Sequence, residues 1–339
     1  MSYATKNIDA TCAVHVDMGT TNTRVWLMRD SLVVARARSF VGVRDTVRDG
    51  SPERIRAALR DLIAEARAEG RQSSPECVPS CVIASGMITS PLGLSEVPHV
   101  AAPAGMSDIA AGAECQIFYD VTDLPVLLIP GVRTEGTREN AREVGAFDVM
   151  RGEETLCLGL LELGMMRTES VLLTLGSHWK AIRTDDSSRV ASSVTTLSGE
   201  LIHAAQTQTI LASAVPQGAQ TKTLDPQWVE AGVREQHQSG LARALFCVRL
   251  LQQKDESSPD ERFAYLVGAV IGADFNALQS RGLLSPAIPV VLAGGAAVAE
   301  GWRHVLTTSG IPSRVLTEPE VETAFLTGQS SVAARVFRG

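Results

Sequence analysis

The chain has 339 residues, of which 45% are hydrophobic and 20% charged, with 31 Lys and Arg against 38 Asp and Glu for a net charge of −7. That length supports two domains with full cores, and the composition is that of a globular chain. The negative balance, without a basic block or interleaved aromatics, argues against nucleic acid as a partner. No apolar run approaches the roughly 20 residues that span a bilayer, which argues against a membrane.

The opening residues, Met1 to Asn7, lack the apolar stretch of a signal peptide, so a cytoplasmic location is expected. The cysteines are Cys12, Cys77, Cys81, Cys115, Cys157 and Cys247; only Cys77 and Cys81 are close, and no second pair completes a zinc site. They are expected to be buried free thiols.

Residues 12–18, 23–29 and 32–38 read as three short strands joined by tight turns, the first apolar enough to be central. A helix is expected over 51–69, with Ser51 as N-cap, Pro52 in its first position and Gly70 closing it. Cys81 to Gly86 is a buried strand running into a glycine turn, 91–123 an irregular stretch contributing to a pocket, and 124–131 a further strand. A helix follows from Glu153 to Leu163.

The pattern then restarts, with strands at 170–175, 179–184 and 189–194 and helices near 198–213, 227–252 and 261–281. A strand at 288–293, a helix at 296–307, a strand near 313–317 and a helix at 321–336 complete it. Three hairpin-linked strands followed by alternating helices and strands, twice over, indicate a duplicated α/β unit with a boundary near 168. The expected domains are therefore 1–168 and 169–339, with the final helix able to pack back on the first.

Both halves begin with a strand, a turn of glycine and small hydroxyl residues, and a second strand. In the first, Asp17-Met-Gly-Thr-Thr-Asn-Thr-Arg24 ends a central strand on a carboxylate suited to Mg²⁺, while Gly19, Thr20, Thr21 and Asn22 offer N–H and hydroxyl donors to a phosphate. A plain hairpin whose polar residues satisfy the turn is the bland alternative. The second, Gly176-Ser177-His178-Trp179-Lys180, adds a cation at Lys180 and has Thr174 where an acid could end the strand. Facing turns of this kind would hold a nucleotide from two sides.

Gly294-Gly295 lies between a buried strand and a helix, where the bare backbone would let an adenine ring approach. Arg151-Gly152-Glu153-Glu154 places two carboxylates at a helix start. Dipole complementarity accounts for them structurally, whereas proton acceptance from a sugar hydroxyl accounts for them functionally. Thr196 and Glu200 fit a helix cap, and Ser85-Gly86-Met87 follows a buried strand, with Met87 more core-like than ligand-like.

Asp17–Arg24, Ala84–Met87, Ile129–Gly131, Met150–Thr155, Gly176–Lys180 and Thr196–Leu201 occur in that order. Together they resemble the 2-dehydro-3-deoxygalactonokinase family, sugar-acid kinases of the acetate kinase/Hsp70/actin/sugar kinase superfamily. The resemblance runs over about residues 12–335. It implies a duplicated ribonuclease-H-like, actin-like ATPase fold around a central cleft, with ATP and Mg²⁺ as cofactors. The implied reaction phosphorylates the 6-hydroxyl of 2-dehydro-3-deoxy-D-galactonate in galactonate catabolism.

By the same resemblance Asp17 serves the metal, Gly19, Thr20, Thr21, Asn22, Gly176 and Ser177 the phosphates, and Gly294 and Gly295 the adenosine. Arg24, Ser85, Gly86, Met87, Arg151, Lys180, Thr196 and Glu200 are candidates on the substrate side. The base is expected at Glu153 or Glu154, with Glu200 as an alternative. A kinase of another sugar acid such as 2-dehydro-3-deoxygluconate, an exopolyphosphatase-like phosphohydrolase and an actin-like nucleotide sensor remain as alternatives. The small-molecule partner is a sugar acid, and homo-oligomerisation is left open.

Overall fold

The computed structural model of the chain describes residues 8–135, 144–216 and 223–338. Residues 1–7, on which the expectation of no signal peptide rests, lie outside them. The chain divides into two compact units, one of residues 1–167, 185–192 and 322–339, the other of residues 168–184 and 193–321.

The first unit opens with antiparallel β1 (Cys12–Met18), β2 (Thr23–Arg29) and β3 (Leu32–Ser39). Two helices follow, α1 (Val43–Asp49) and α2 (Glu53–Ser73), then β4 (Val82–Gly86) parallel to β1. Next come β5 (Val100–Ala101), α3 (Met106–Gly112), β6 (Glu114–Ile117), β7 (Pro125–Leu128), β8 (Val132–Thr134), β9 (Asp148–Met150) and α4 (Glu153–Glu162). The main sheet has the order β3-β2-β1-β4-β7-β6, and β5, β8 and β9 form a separate small sheet.

β1 is central because both its faces are covered: Ala13, Val14, His15, Val16 and Met18 are all buried. α2 turns Ile55, Leu59, Leu62, Ile63 and Ala66 inward at helical spacing. It does not stop at Gly70, as the sequence suggests, but runs on to Ser73. Gly70 is buried, and a Cβ there would stand 2.1 Å from Leu27 Cδ2; the glycine makes room for the sheet instead of ending the helix. The stretch expected to be irregular, 91–123, holds β5, α3 and β6, the last forming the edge of the main sheet.

The second unit repeats the plan. Its strands are β10 (Val171–Leu175), β11 (Trp179–Thr184) and β12 (Val190–Thr196), followed by helices α5 (Ser198–Thr207), α6 (Pro226–Ser239), α7 (Leu241–Lys254) and α8 (Pro259–Ser280). Then come β13 (Val290–Gly294), α9 (Ala296–Thr308), β14 (Ser313–Val315) and α10 (Glu318–Arg338), whose residues from Glu322 onward belong to the first unit. The sheet order β12-β11-β10-β13-β14 matches β3-β2-β1-β4-β7 strand for strand.

The single helix expected over 227–252 is two, because Gly240 at φ 79° breaks it between α6 and α7. α8 is buried along most of its length, from Arg262 to Gly272 without interruption, and forms the spine of this unit's core. Trp302 from α9 packs edge-on against Trp179 of β11, with ring centroids 5.8 Å apart.

The cysteines depart in part from expectation. Cys12 at the start of β1 and Cys77 in the segment before β4 form a disulfide across 65 residues of sequence. Spacing gave no sign of it, because the pair is made by the sheet bringing β1 beside the approach to β4. Cys81, Cys115, Cys157 and Cys247 are free thiols, the first three buried.

Candidate active site

The first hairpin turn is held from behind. Gly19 N–H donates to the Asn22 carbonyl at 2.8 Å, closing the turn. The carbonyls of Gly19 and Thr20 accept from the N–H groups of Val43 and Arg44, at 3.3 and 2.9 Å, in the opening turn of α1. A trans peptide sets C=O and the following N–H in opposite directions. The N–H groups of Thr20 and Thr21 therefore point away from α1, to the open side of the turn. Two successive amides so directed make an anion-binding concavity. The approach is close: a Cβ on Gly42 would stand 2.6 Å from the Thr20 carbonyl carbon and oxygen.

The second turn is built in the same way. A Cβ on Gly199, in the first turn of α5, would stand 2.1 Å from the Gly176 carbonyl oxygen and 2.6 Å from that of Ser177. Glu200 N–H donates to the Ser177 carbonyl at 2.8 Å. The Ser177 carbonyl thus faces α5, and the His178 N–H faces the other way. Each supporting glycine is the third residue beyond its strand: β3 ends at Ser39 and β12 at Thr196. Gly42 was not singled out by the sequence, although its counterpart Gly199 stands in a quoted motif and the repeat would have pointed to it.

In the first unit Asp17 sits opposite Ser85 in the parallel β1–β4 pairing, and Met18 opposite Gly86. A Cβ on Gly86, at φ 88°, would stand 3.1 Å from Asp17 Oδ1, and one on Gly152, at φ 108°, would stand 3.2 Å from Gly86 Cα. The Asp17 carboxylate, Gly86 and the start of α4 therefore lie side by side. Asp17 Oδ2 accepts from Arg24 Nη2 at 2.5 Å and Nε at 3.2 Å. Its side chain is 15% exposed and that of Arg24 51%.

The two carboxylates at the start of α4 occupy different environments. Glu154 is completely buried, with both oxygens 2.8 Å from the Gly152 N–H and Oε1 accepting from Thr155 Oγ1 at 3.1 Å. Burial, with the neighbouring Glu153 charge adding to it, pushes its carboxyl up to about 7. Glu153 is partly exposed and accepts the Arg151 N–H at 3.2 Å. Of the two acids, only Glu153 is open to solvent.

The Arg151 guanidinium is turned onto the segment after β4. It donates to Thr89 Oγ1 and the Val97 carbonyl, both at 2.9 Å, and meets His99 Nδ1 at 3.3 Å. Burial lowers its pKa, which leaves it charged all the same. Ser85 is buried and its hydroxyl accepts from Gln329 Nε2 at 2.9 Å, so it shapes the strand end rather than facing solvent. Met87 packs against the core of the first unit, as its residue type suggests. His15, Gln329, Thr89 and His99 are structural partners that periodicity alone does not reveal.

In the second unit, Lys180 is buried and donates to Thr195 Oγ1 at 2.5 Å. Glu200 lies 3.5 Å from His178 in the turn. Thr196 donates to Asp274 rather than facing outward. Gly294 pairs with Leu175, the residue before the turn, at φ 156°, and a Cβ there would stand 2.7 Å from the Leu175 side chain. Gly294 and Gly295 are both exposed. The expected phosphate and adenosine residues of this half thus lie together at one end of its sheet.

A cavity of about 730 Å³, lined by Asp9, Thr11, Asp30, Phe337 and Arg338 among others, lies at the opposite end of β1 from Asp17. Among the described residues no cluster of three or more His, Cys, Asp or Glu could hold a metal by itself. A single carboxylate at Asp17 still fits Mg²⁺, which keeps several waters and is held by one or two carboxylates plus substrate phosphates. Among the described residues no helix is long and apolar enough to cross a membrane.

Two α/β units of matching strand order, each opening on a hairpin whose turn amides face outward, define the actin-like ATPase and sugar-kinase fold. The chain belongs to the 2-keto-3-deoxy-galactonokinase family, whose model matches residues 17–332, and is accordingly a phosphotransferase acting on 2-keto-3-deoxygalactonate.

Among solved structures, a Sinorhizobium meliloti protein provisionally named 2-dehydro-3-deoxygalactonokinase is similar at 24% identity and a TM-score of 0.73, over 95% of this chain and 98% of that one. Two proteins of dehydratase systems share the fold. One is the activator of 2-hydroxyisocaproyl-CoA dehydratase from Clostridium difficile with bound ADPNP, at 11% identity and TM-score 0.50, over 96% of this chain and 95% of that one. The other is component A of the Acidaminococcus fermentans (R)-2-hydroxyglutaryl-CoA dehydratase, at 12% and 0.51, over 96% and 98%. Among curated proteins, none matches the chain.

Proposed function

We propose that this chain transfers the terminal phosphoryl group of ATP to the 6-hydroxyl of 2-keto-3-deoxygalactonate, in the cytoplasm, with Mg²⁺ held at Asp17. The observation that carries this reading is the first unit's array of the Asp17 carboxylate, Gly86, Gly152 and Glu153 beside a turn whose amides face outward.

In the proposed reaction the bond between the γ-phosphorus and its bridging oxygen breaks, and a bond from phosphorus to the sugar 6-oxygen forms. The hydroxyl proton passes to Glu153, the carboxylate at this helix start that reaches solvent. Glu154 stays buried and fixes the Gly152 N–H, and so the direction in which Glu153 leaves the helix. The outward amides of Thr20 and Thr21, and of His178 in the second turn, take phosphate oxygens. Charge spread over those oxygens in the transition state is stabilised by such fixed dipoles. Bound Mg²⁺ supplies neutralisation of the polyphosphate charge. Arg24, whose side chain is half exposed, supplies a cation for phosphate or substrate carboxylate, while buried Lys180 holds Thr195 behind the second turn. Gly294 and Gly295 leave room for the adenosine.

The test is a coupled ADP-release assay with a panel of 2-keto-3-deoxy sugar acids. Turnover is expected with the galactonate derivative and is expected to fall at least about a hundredfold in Asp17→Asn and Glu153→Gln. Wild-type protein that turns over none of these acids would sink the reading. Phosphate release without an acceptor would move it to a phosphohydrolase.

A further inference from the structure

The second turn is not held by α5 alone. At the junction of β12 and α5, Thr196 Oγ1 and Ser198 Oγ both donate to Oδ2 of Asp274, at 2.8 and 2.7 Å, and the two hydroxyls lie 2.9 Å apart. Asp274 comes from α8, the buried spine of the second unit, 76 residues along the chain from Ser198. It is only 8% exposed. A carboxylate so far out of water costs free energy unless it is well bonded; burial pushes the Asp274 carboxyl up, and the two hydroxyl donors on one oxygen offset part of that cost.

Those hydroxyls flank Leu197, the N-cap residue of α5. Gly199 and Glu200, the next two residues, are the ones that meet the Gly176 and Ser177 carbonyls. A mechanical chain therefore runs from the core helix to the turn: Asp274 holds Thr196 and Ser198, these set the first turn of α5, and α5 sets the direction of the turn carbonyls. Through the planar peptide, the carbonyl direction decides where the His178 N–H points.

From this we propose that Asp274 is a positioning residue for nucleotide phosphate: it aims the amide of the second turn without touching the ligand. The inference rests on the reading that this turn takes a phosphate of ATP. It adds the residue that orients that turn, which no motif in the sequence indicates.

The test separates phosphate from nucleoside. Affinities for MgADP and for adenosine are measured by titration calorimetry on the full chain, in wild type, Asp274→Ala, Asp274→Asn and Ser198→Ala. Asp274→Ala is expected to weaken MgADP about tenfold and leave adenosine within twofold, because only MgADP uses the turn. Asp274→Asn keeps an acceptor oxygen for both hydroxyls and is expected to restore most of the MgADP affinity. In turnover, the KM for ATP is expected to rise while that for the sugar acid holds.

Equal weakening of MgADP and adenosine would reduce Asp274 to a general structural role and overturn the proposal. So would unchanged MgADP affinity, or a wild type that binds MgADP no better than adenosine. Should Asp274→Ala fail to fold, Asp274→Asn combined with Ser198→Ala decides the matter on the same two ligands. The binding comparison stands apart from catalysis. A wild type that discriminates MgADP from adenosine and loses that discrimination at position 274, yet phosphorylates no sugar acid, supports the inference while ending the kinase reading.

Discussion

Glu154 turns both of its carboxylate oxygens onto the N–H of Gly152, at 2.8 Å each, while Glu153, one residue earlier, keeps its side chain within reach of solvent. Adjacent acids at one helix start thus divide the work. Glu153→Gln is expected to lower kcat at least about a hundredfold with little change in melting temperature. Glu154→Gln is expected to act first on stability. A thermal melt and a steady-state assay on each variant check this, and the reverse assignment predicts the reverse pattern.

The same residue makes folding depend on pH. The Glu154 carboxyl is raised from 4.5 to about 7, so the folded chain holds a proton that the unfolded chain has lost between those values. Its contribution is fully present below about 4.5 and is lost as pH rises through about 7. In Glu154→Gln that slope is expected to vanish, narrowing the gap to wild type by up to about 3 kcal/mol from pH 5 to pH 8. Urea denaturation of both proteins at the two pH values measures it.

His15 titrates in the opposite sense. It is buried on β1, and desolvation lowers its pKa from 6.5 to about 4 despite the bond to Gln329 Oε1 at 2.9 Å. Gln329 Nε2 donates to the Val16 carbonyl at 2.8 Å, so its oxygen must accept and His15 Nδ1 carries the proton. The unfolded chain takes up a proton below about 6.5 that the folded chain refuses down to about 4. Stability therefore falls across that window as the solution is acidified. His15→Gln is expected to flatten this acid limb by up to about 3 kcal/mol, read from denaturation midpoints at pH 4.5 and 7.

Gly199→Ala places a methyl 2.1 Å from the Gly176 carbonyl oxygen, and Gly42→Ala one 2.6 Å from that of Thr20. Backbone cannot yield cheaply at either place. Each variant is expected to raise the KM for ATP about tenfold or more, with a loss of roughly 1–3 kcal/mol in stability. Gly164→Ala, at φ 65° with nothing within 4 Å of the added carbon, serves as a comparison in which only backbone strain acts.

Arg151→Lys replaces a planar fork by a single point charge, so the joint bonds to Thr89 and the Val97 carbonyl cannot both be kept. The segment from Met87 to His99 should loosen, and the KM for the sugar acid should rise about tenfold with that for ATP unchanged. A rise confined to ATP would contradict the expectation that Arg151 and Met87 serve the substrate side.

The hairpins and the helix at Glu153 were legible because their signals are local: alternating apolar residues, a glycine-hydroxyl turn, acids in a first turn. The end of α2 was not, since Gly70 answers to Leu27 on a neighbouring strand rather than to the helix. β5, β8 and β9 are two or three residues long and have too few positions to show a period. Asp274 reads as one polar residue in an apolar helix, and its meaning depends on partners more than seventy residues away. The Cys12–Cys77 pair escaped for the same reason. The motif Arg151-Gly-Glu-Glu was visible as chemistry, but which acid faces outward is decided by burial alone.

The support behind each turn has an evolutionary corollary. On the proposed reading, the groups offered to a phosphate are main-chain amides, and what aims them is packing on the far side. Residues 20–22 and 177–178, which stand at the open face, are thus expected to tolerate exchange among small and polar types. Gly42, Gly199 and Asp274, hidden from any ligand, are expected to tolerate almost none. A saturation library scored by growth on the sugar acid would then show its most intolerant positions one layer beneath the surface that does the binding.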